Sequence, residues 1–183
     1  HDYVPNLAQA WEEIIALMPR HRGESNERRV RMLIYLVETL DYQPTSDAWR
    51  HALSVGCRFR SLALVKFCVK HWDEQSDINE ELDGCTLLHI ACESGFLPTV
   101  RYLIEEAGAD VHGVDSIRHR SALHFAVNRP GRRDAAHMEV ISYLVDTQGL
   151  SVSLEEPLSG LTPAMLAAKL GNADLVERSD VRA

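Results

Sequence analysis

The sequence lacks long apolar runs and has few cysteines. None of its apolar runs approaches the roughly 18 residues that a membrane-spanning helix needs, so we expect no membrane insertion. The chain has four cysteines, Cys57, Cys68, Cys85 and Cys92, and no C-x-x-C pair. Cys68 and Cys92 fall at core-facing positions of predicted helices, where a free thiol behaves as a small apolar group. This usage favours a reducing compartment and predicts an intracellular protein, cytoplasmic or nuclear.

The sequence also lacks an excess of positive charge. It contains 19 Lys and Arg against 27 Asp and Glu, a net charge of −8, which excludes a general nucleic-acid binder with a basic face. The arginines nevertheless form three clusters: Arg28, Arg29 and Arg31; Arg118 and Arg120; Arg129, Arg132 and Arg133. One interpretation is solvated charge. The other is a site for an acidic or phosphorylated peptide, because a guanidinium binds carboxylate or phosphate through two parallel hydrogen bonds.

Sequence motifs of catalysis and of metal binding are missing. There is no G-x-x-x-x-G-K loop, no H-E-x-x-H and no G-x-S-x-G elbow. Cys85, His89 and Cys92 could contribute to a zinc site, but a fourth ligand is missing. Paired carboxylates such as Glu105-Glu106 lie on outward helix faces and indicate solvated surface. We therefore predict no enzymatic activity, no catalytic residue, no cofactor and no metal.

What the sequence does contain is a compact pattern between Asp83 and Asp115. Thr86 can cap a first short helix with its hydroxyl, and Gly95 can end that helix in a left-handed conformation. Pro98 suits the first turn of a second helix, where its missing N–H costs nothing. Gly108 closes the second helix. The pattern predicts two helices joined by a turn and followed by an extended loop.

These residues resemble the ankyrin repeat. Its T-P-L-H-x-A signature recurs about every 33 residues, and residues 86–91 read Thr-Leu-Leu-His-Ile-Ala. Leu87 stands where the family has proline, and His112 where it usually has asparagine. Two further copies begin at Ser121 and Thr162, at spacings of 35 and 41 residues. The longer spacing contains an insertion, residues 129–134, before a second helix that starts near His137.

A weaker copy lies upstream of these three. Its first helix begins near Asp47, and Ala52 and Gly56 take the register of Ala91 and Gly95. Its second helix is expected over residues 61–70. Trp49 and Trp72 are expected to be packed, because large aromatic side chains gain most from burial.

The N-terminal segment reads as a helical hairpin without the repeat signature. A helix over residues 5–18 is followed by one that begins at a cap, Ser25 or Asn26, and reaches Leu40. The next helix is capped by Thr45 or Ser46. We interpret the hairpin as an N-terminal cap, because the end of a solenoid needs an atypical unit, and a divergent repeat is the close alternative.

The predicted fold is an all-α, ankyrin-like solenoid of about five stacked helix-turn-helix pairs. One repeat cannot bury its own apolar face, so neighbouring repeats must share one core. We expect a single contiguous domain, with the hairpin at residues 1–45 and the stack at 46–183, divided near 46–82, 83–117, 118–157 and 158–183. The last pair has no polar outer face, so we expect this chain to be part of a longer protein.

The resemblance implies a non-catalytic protein–protein interaction domain, a scaffold or adaptor that binds through its concave face and finger loops. The alternative is a regulatory or substrate-recruiting module of a larger enzyme or channel. The implied partner is another protein or peptide, with acidic or phosphorylated segments as one form. The candidate partner-binding residues are Val114, Ile117, Arg118, His119, Glu93, Ser94, Asn128, Arg129, Lys169 and Leu170.

The resemblance also implies structural roles for the repeat motif. Its histidine is expected to brace neighbouring turns, and Met165 replaces it in the last copy. The motif residues are Thr86, His89, Gly95, Ser121, His124, Thr162, Pro163 and Gly171. Val114 and Ile117 are apolar where the family has polar residues. They contact a partner or pack on the adjacent finger, and both interpretations stay open.

Overall fold

A computed structural model describes residues 6–18, 24–72, 77–128 and 135–171. Within these ranges the regular elements are helices, and the only extended pairings are two isolated β-bridges. The chain divides into two compact units, residues 1–76 and 77–183. They are called unit 1 and unit 2, and each is described by itself.

Unit 1 contains two helix pairs. Its helices are α1 (Leu7–Leu17), α2 (Glu24–Ile34, continued by a π-helical turn, Tyr35–Thr39), α3 (Ser46–Arg58) and α4 (Leu62–His71). The Thr45 hydroxyl caps α3 by accepting the Ala48 N–H at 3.2 Å, as predicted. The prediction that Ser25 or Asn26 caps α2 is wrong, because the helix already begins at Glu24.

The core of unit 1 is built on aromatic rings. Trp11 is fully buried and meets Trp49 edge-on, with ring centroids 5.0 Å apart. Trp49 also contacts Phe67 at 5.7 Å and stacks on His71 at 6.3 Å. Trp72 is buried as well. The predicted packing of Trp49 and Trp72 is therefore confirmed.

The end of α3 corrects the register of the weak copy. Arg60 adopts the left-handed conformation, with φ of 62°, that Gly95 adopts with φ of 67°. Gly56 instead lies inside α3, where a Cβ would fall 2.8 Å from Cγ2 of Val65. The residue equivalent to Gly95 is thus Arg60, and the predicted register was four residues too early. A shift of four residues keeps the same helix face, so apolar periodicity did not reveal it.

Unit 2 contains two complete helix pairs and the first helix of the final copy. Its helices are α5 (Leu87–Ser94), α6 (Leu97–Glu105), α7 (Ala122–Val127), α8 (Ala135–Ser142, continued by a π-helical turn, Tyr143–Thr147) and α9 (Pro163–Lys169). Thr86, Ser121 and Thr162 are the N-cap residues of α5, α7 and α9, as predicted. The insertion at residues 129–134 and the predicted final helix from Asn172 lie outside the described residues.

The first helices of unit 2 pack in series, α5 against α7 and α7 against α9. The buried leucines Leu88, Leu103, Leu123 and Leu144 come from four different helices. They form a shared core, because no single helix pair could bury such side chains alone. This arrangement confirms the prediction of an all-α ankyrin solenoid.

The cysteines of the described chain are free thiols. Cys57, Cys68 and Cys92 are fully buried, which confirms the prediction for Cys68 and Cys92. Burial raises the pKa of the Cys57 thiol to about 12. These side chains therefore act as small apolar groups in the core.

Three second helices end in the same way. The carbonyls of Tyr35, Tyr102 and Tyr143 accept N–H groups five residues further on. The residues from each tyrosine read Tyr-Leu-Val-Glu-Thr, Tyr-Leu-Ile-Glu-Glu and Tyr-Leu-Val-Asp-Thr. The N-terminal hairpin thus shares its helix end with the clear repeats, which favours a divergent repeat over a cap. The single contiguous domain stays a prediction.

Candidate functional site

The loops of unit 2 that precede α5, α7 and α9 are here called finger 1 (residues 77–86), finger 2 (residues 109–121) and finger 3 (residues 150–162). Finger 1 ends in a tight hairpin in which Leu82 and Cys85 exchange backbone hydrogen bonds of 2.8 and 3.0 Å. Asp83 and Gly84 form its tip, both with positive φ, as a two-residue hairpin turn requires.

Finger 2 is organised by the carboxylate of Asp115. This side chain is 2% exposed and accepts the backbone N–H groups of Ile117 (3.0 Å), Arg118 (2.8 Å) and Arg120 (2.8 Å). A carboxylate that binds several N–H groups of its own loop holds the backbone of that loop in one conformation. The tip of finger 2 is therefore ordered before any partner arrives.

Finger 3 repeats this backbone pattern 41 residues later. Glu156 donates its N–H to the Leu161 carbonyl at 2.9 Å and accepts the Gly160 N–H at 2.8 Å. The equivalent bonds of Asp115 in finger 2 are 3.0 and 2.9 Å. Ile117 and Leu158 therefore occupy equivalent positions on successive tips.

The carboxylate of Asp115 binds N–H groups of its own finger, whereas that of Glu156 pairs with arginines of the neighbouring finger 2. The Glu156 side chain is 1% exposed, and its Oε2 lies 3.2 Å from Nε of Arg120. Its Oε1 lies 3.9 Å from Nη1 of Arg118. The longer carboxylate thus reaches from finger 3 to the arginines of finger 2, and both guanidinium groups have an anionic partner inside unit 2.

Fingers 1 and 2 are joined as well. The Ser116 N–H donates to the Gly84 carbonyl at 3.2 Å, and the Asp110 N–H donates to Oδ1 of Asn79 at 2.7 Å. The Ile117 side chain lies directly over Gly84, where a Cβ would meet it. Ile117 thus packs on the adjacent finger and is still 59% exposed. The three fingers form a connected row.

The motif histidines join each first helix to the following finger. Nδ1 of His124 accepts the Ser121 N–H at 3.2 Å, and its Nε2 lies 3.2 Å from the Leu161 carbonyl of finger 3. His89 binds the Thr86 N–H at 3.2 Å in the same way and bonds the backbone of Gly113. Because Nδ1 accepts, the proton sits on Nε2 and is donated to the carbonyl. Burial lowers the pKa of both imidazoles, which keeps them neutral.

Most of the candidate residues from the sequence lie on the surface. Ile117, Arg118, His119, Glu93, Asn128 and Lys169 are exposed, Val114 is 37% exposed, and Leu170 is partly buried. Ser94 is a correction: it is 5% exposed, and its hydroxyl donates to the Ala91 carbonyl at 2.8 Å, so it cannot offer its side chain to a partner. Arg129 lies outside the described residues.

Sequence reasoning missed three exposed apolar residues. Leu158 is 72% exposed, Met165 is 52% exposed and Leu154 is 42% exposed. Aligning finger 3 on finger 2 by the 41-residue spacing would have found Leu158, because it takes the place of Ile117. Met165 takes the place of the motif histidine and offers no N–H to a following finger.

The described part of the chain contains neither a metal-binding cluster nor a membrane-spanning helix. No group of three or more His, Cys, Asp or Glu side chains in it is placed to hold a metal ion. No helix among the described residues is long and apolar enough to cross a membrane.

Stacked helix pairs joined by bonded fingers define a helical repeat protein. A sequence profile of ankyrin repeats, three copies long, matches residues 25–115 and, in an overlapping placement, residues 53–138. Together these cover more than half of the chain, which therefore belongs to the ankyrin repeat family. The match begins upstream of the expected residue 46 and includes α2. Ankyrin repeats are generally protein–protein interaction modules and typically non-catalytic.

Proposed function

We propose that this chain is a non-catalytic protein-interaction domain, of scaffold or adaptor type, that binds a partner through its concave and finger surface in unit 2. One observation carries the proposal. The fingers are tied into a row that holds the apolar side chains of Ile117 and Leu158 in water at equivalent tips, 59% and 72% exposed.

The energetics of this row favour binding. Covering an aliphatic side chain that is fully exposed contributes about 1.5–3 kcal/mol, so covering each of these two partly exposed tips contributes somewhat less. Ordering a loop on association costs free energy. Here Asp115 already binds the N–H groups of Ile117 and Arg118, and Ser116 is bonded to Gly84. The loop is therefore ordered when the protein folds, and binding a partner requires little further ordering.

The surface is tested by a charge placed on the tip of finger 2. We expect Ile117→Asp to weaken partner capture at least tenfold, about 1.4 kcal/mol, while the far-ultraviolet circular dichroism stays helical. Capture by the 183-residue chain is measured by affinity purification and quantitative mass spectrometry.

The matched control is Met32→Asp. Met32 lies on α2 in unit 1 and is 54% exposed, close to the 59% of Ile117. We expect this variant to retain capture, because it adds the same charge to a residue that is not part of the finger row. Equal capture by both variants and the unmodified chain would place the interface elsewhere.

A further inference from the structure

We propose that the finger row of unit 2 binds a peptide segment that carries aliphatic side chains next to Lys or Arg, and that Glu156 sets this preference by occupying the arginines of finger 2. The inference rests on the proposed function and gives the chemistry of the partner. At finger 2 it replaces the acidic or phosphorylated peptide that the cluster of Arg118 and Arg120 indicated.

Exposed carboxylates occur on the two fingers that flank finger 2 and at the end of α5. Ile117 covers Gly84, which is adjacent in sequence to the exposed Asp83. Asp77 of finger 1 and Glu93 at the end of α5 are exposed as well. Glu155 is exposed next to Glu156 on finger 3. Carboxylates around an apolar contact favour a partner with positive charge at its edges.

The basic residues of finger 2 are already compensated. Arg120 is 16% exposed and lies 3.2 Å from the Glu156 carboxylate. Arg118 is 55% exposed, and its Nη1 is 3.9 Å from Oε1 of Glu156. That oxygen is buried and has no hydrogen-bond partner within the described chain. If Arg118 turned to a partner carboxylate, Oε1 would lose its nearby cation, and a buried polar atom left without a partner costs free energy.

Positive charge occurs on α9, the last first helix that the structure describes. Lys169, at the end of α9, is exposed. Carboxylates thus lie around finger 1 and the end of α5, and a lysine lies at the end of α9. We therefore expect the basic residues of the partner to face finger 1 and its aliphatic residues to contact Ile117 and Leu158.

The test is selection of random 12-residue peptides, displayed on phage, against the 183-residue chain. We expect enriched peptides to combine Leu, Ile, Val or Phe with Lys or Arg. A synthetic copy of an enriched peptide should bind at least tenfold more weakly when its basic residues are replaced by Glu, as measured by fluorescence anisotropy. Its affinity should also fall between 50 and 500 mM salt, because exposed charges are screened.

Two variants test the roles of the charges. Glu156→Gln removes the internal anion, so the selected peptides should gain Asp and Glu. The Asp83→Lys/Glu93→Lys double variant changes only exposed residues and should lose the preference for basic peptides. Because it leaves the buried residues unchanged, it tests the inference even if Glu156→Gln fails to fold. Met32→Asp serves again as the control and should select the same peptides as the unmodified chain.

The outcomes separate this inference from the proposed function. If acidic peptides are enriched on the unmodified chain and Ile117→Asp abolishes their binding, the partner chemistry is wrong and the surface stands. If enriched peptides bind Ile117→Asp unchanged, the surface itself is wrong. If no peptide is enriched, or if the double variant keeps the basic preference, the inference is overturned.

Discussion

At the scale of single residues, the repeat-motif histidines His89 and His124 form hydrogen bonds that join one repeat to the next. Each ring accepts an N–H of its own helix start and bonds the backbone of the next finger. The His89 ring also lies 4.7 Å from the Phe125 ring on the neighbouring first helix. A neutral imidazole suits this place, because one nitrogen accepts while the other donates.

We expect the stability of the protein to fall below about pH 6.5. Burial lowers the folded-state pKa of both rings, whereas the unfolded chain keeps a value near 6.5. Between these values the unfolded state binds more protons, so the free energy of unfolding rises with pH. The contribution is fully present above pH 6.5 and is lost as pH falls through the folded-state pKa.

Urea midpoints at pH 7.5, 6.5 and 5.5 measure this dependence. The His89→Asn/His124→Asn double variant should be less stable at pH 7.5, by about 1 kcal/mol or more for each lost hydrogen-bonded position. It should also show a smaller decline toward pH 5.5. His112→Asn, at an exposed position of finger 2, should keep the full decline. If the double variant loses as much stability toward pH 5.5 as the unmodified chain, the pH dependence arises from groups other than His89 and His124.

At the scale of elements, the end of α5 is joined to the start of α8. Gly95 ends α5 with φ of 67°, and the imidazole of His137 occupies the place that a Cβ of residue 95 would take. Nε2 of His137 lies 3.2 Å from the Glu93 carbonyl at the same helix end. The glycine is thus needed for its backbone conformation and for the space above it.

Gly95→Ala and Gly149→Ala separate these two requirements. Gly149 also has a positive φ of 72° but has nothing within 4 Å of an added Cβ. We expect Gly149→Ala to cost about 1–2 kcal/mol, the strain of a left-handed alanine. Gly95→Ala should cost a further 1–3 kcal/mol or so, because it forces His137 to move. Equal losses in urea denaturation would mean that His137 is displaced freely.

At the scale of the whole molecule, stability in a solenoid comes from the contacts between neighbouring repeats. Leu53 in unit 1 and Leu88 in unit 2 are both buried, at 0% and 1% exposure. They hold equivalent positions once the register of α3 is corrected to place Arg60 against Gly95. Each therefore reports the core of its own unit.

We expect Leu53→Ala and Leu88→Ala each to cost about 2–5 kcal/mol by opening a cavity. The predicted single contiguous domain further implies that both substitutions lower one common unfolding transition, followed by circular dichroism in urea. An unchanged midpoint would contradict burial of the substituted leucine. Two separate transitions, each sensitive to one substitution, would contradict the single domain.

The sequence by itself determined the helices of the clear repeats, their caps and the family. Those signals are local: the Thr86 hydroxyl caps a helix through an N–H three residues away, and Gly95 sets one φ angle. The motif then recurs often enough to be recognised. Such interactions act within one turn of helix, so reading the chain in order is sufficient.

Only the tertiary structure decided the details of the surface. It placed Arg60 rather than Gly56 at the end of α3 and buried Ser94. It also brought Glu156 to Arg120, 36 residues away in sequence. Stacking of repeats creates these contacts between distant residues. Which carboxylate pairs with an arginine depends on the loop of the neighbouring repeat that packs beside it, and the order of residues along the chain does not show this.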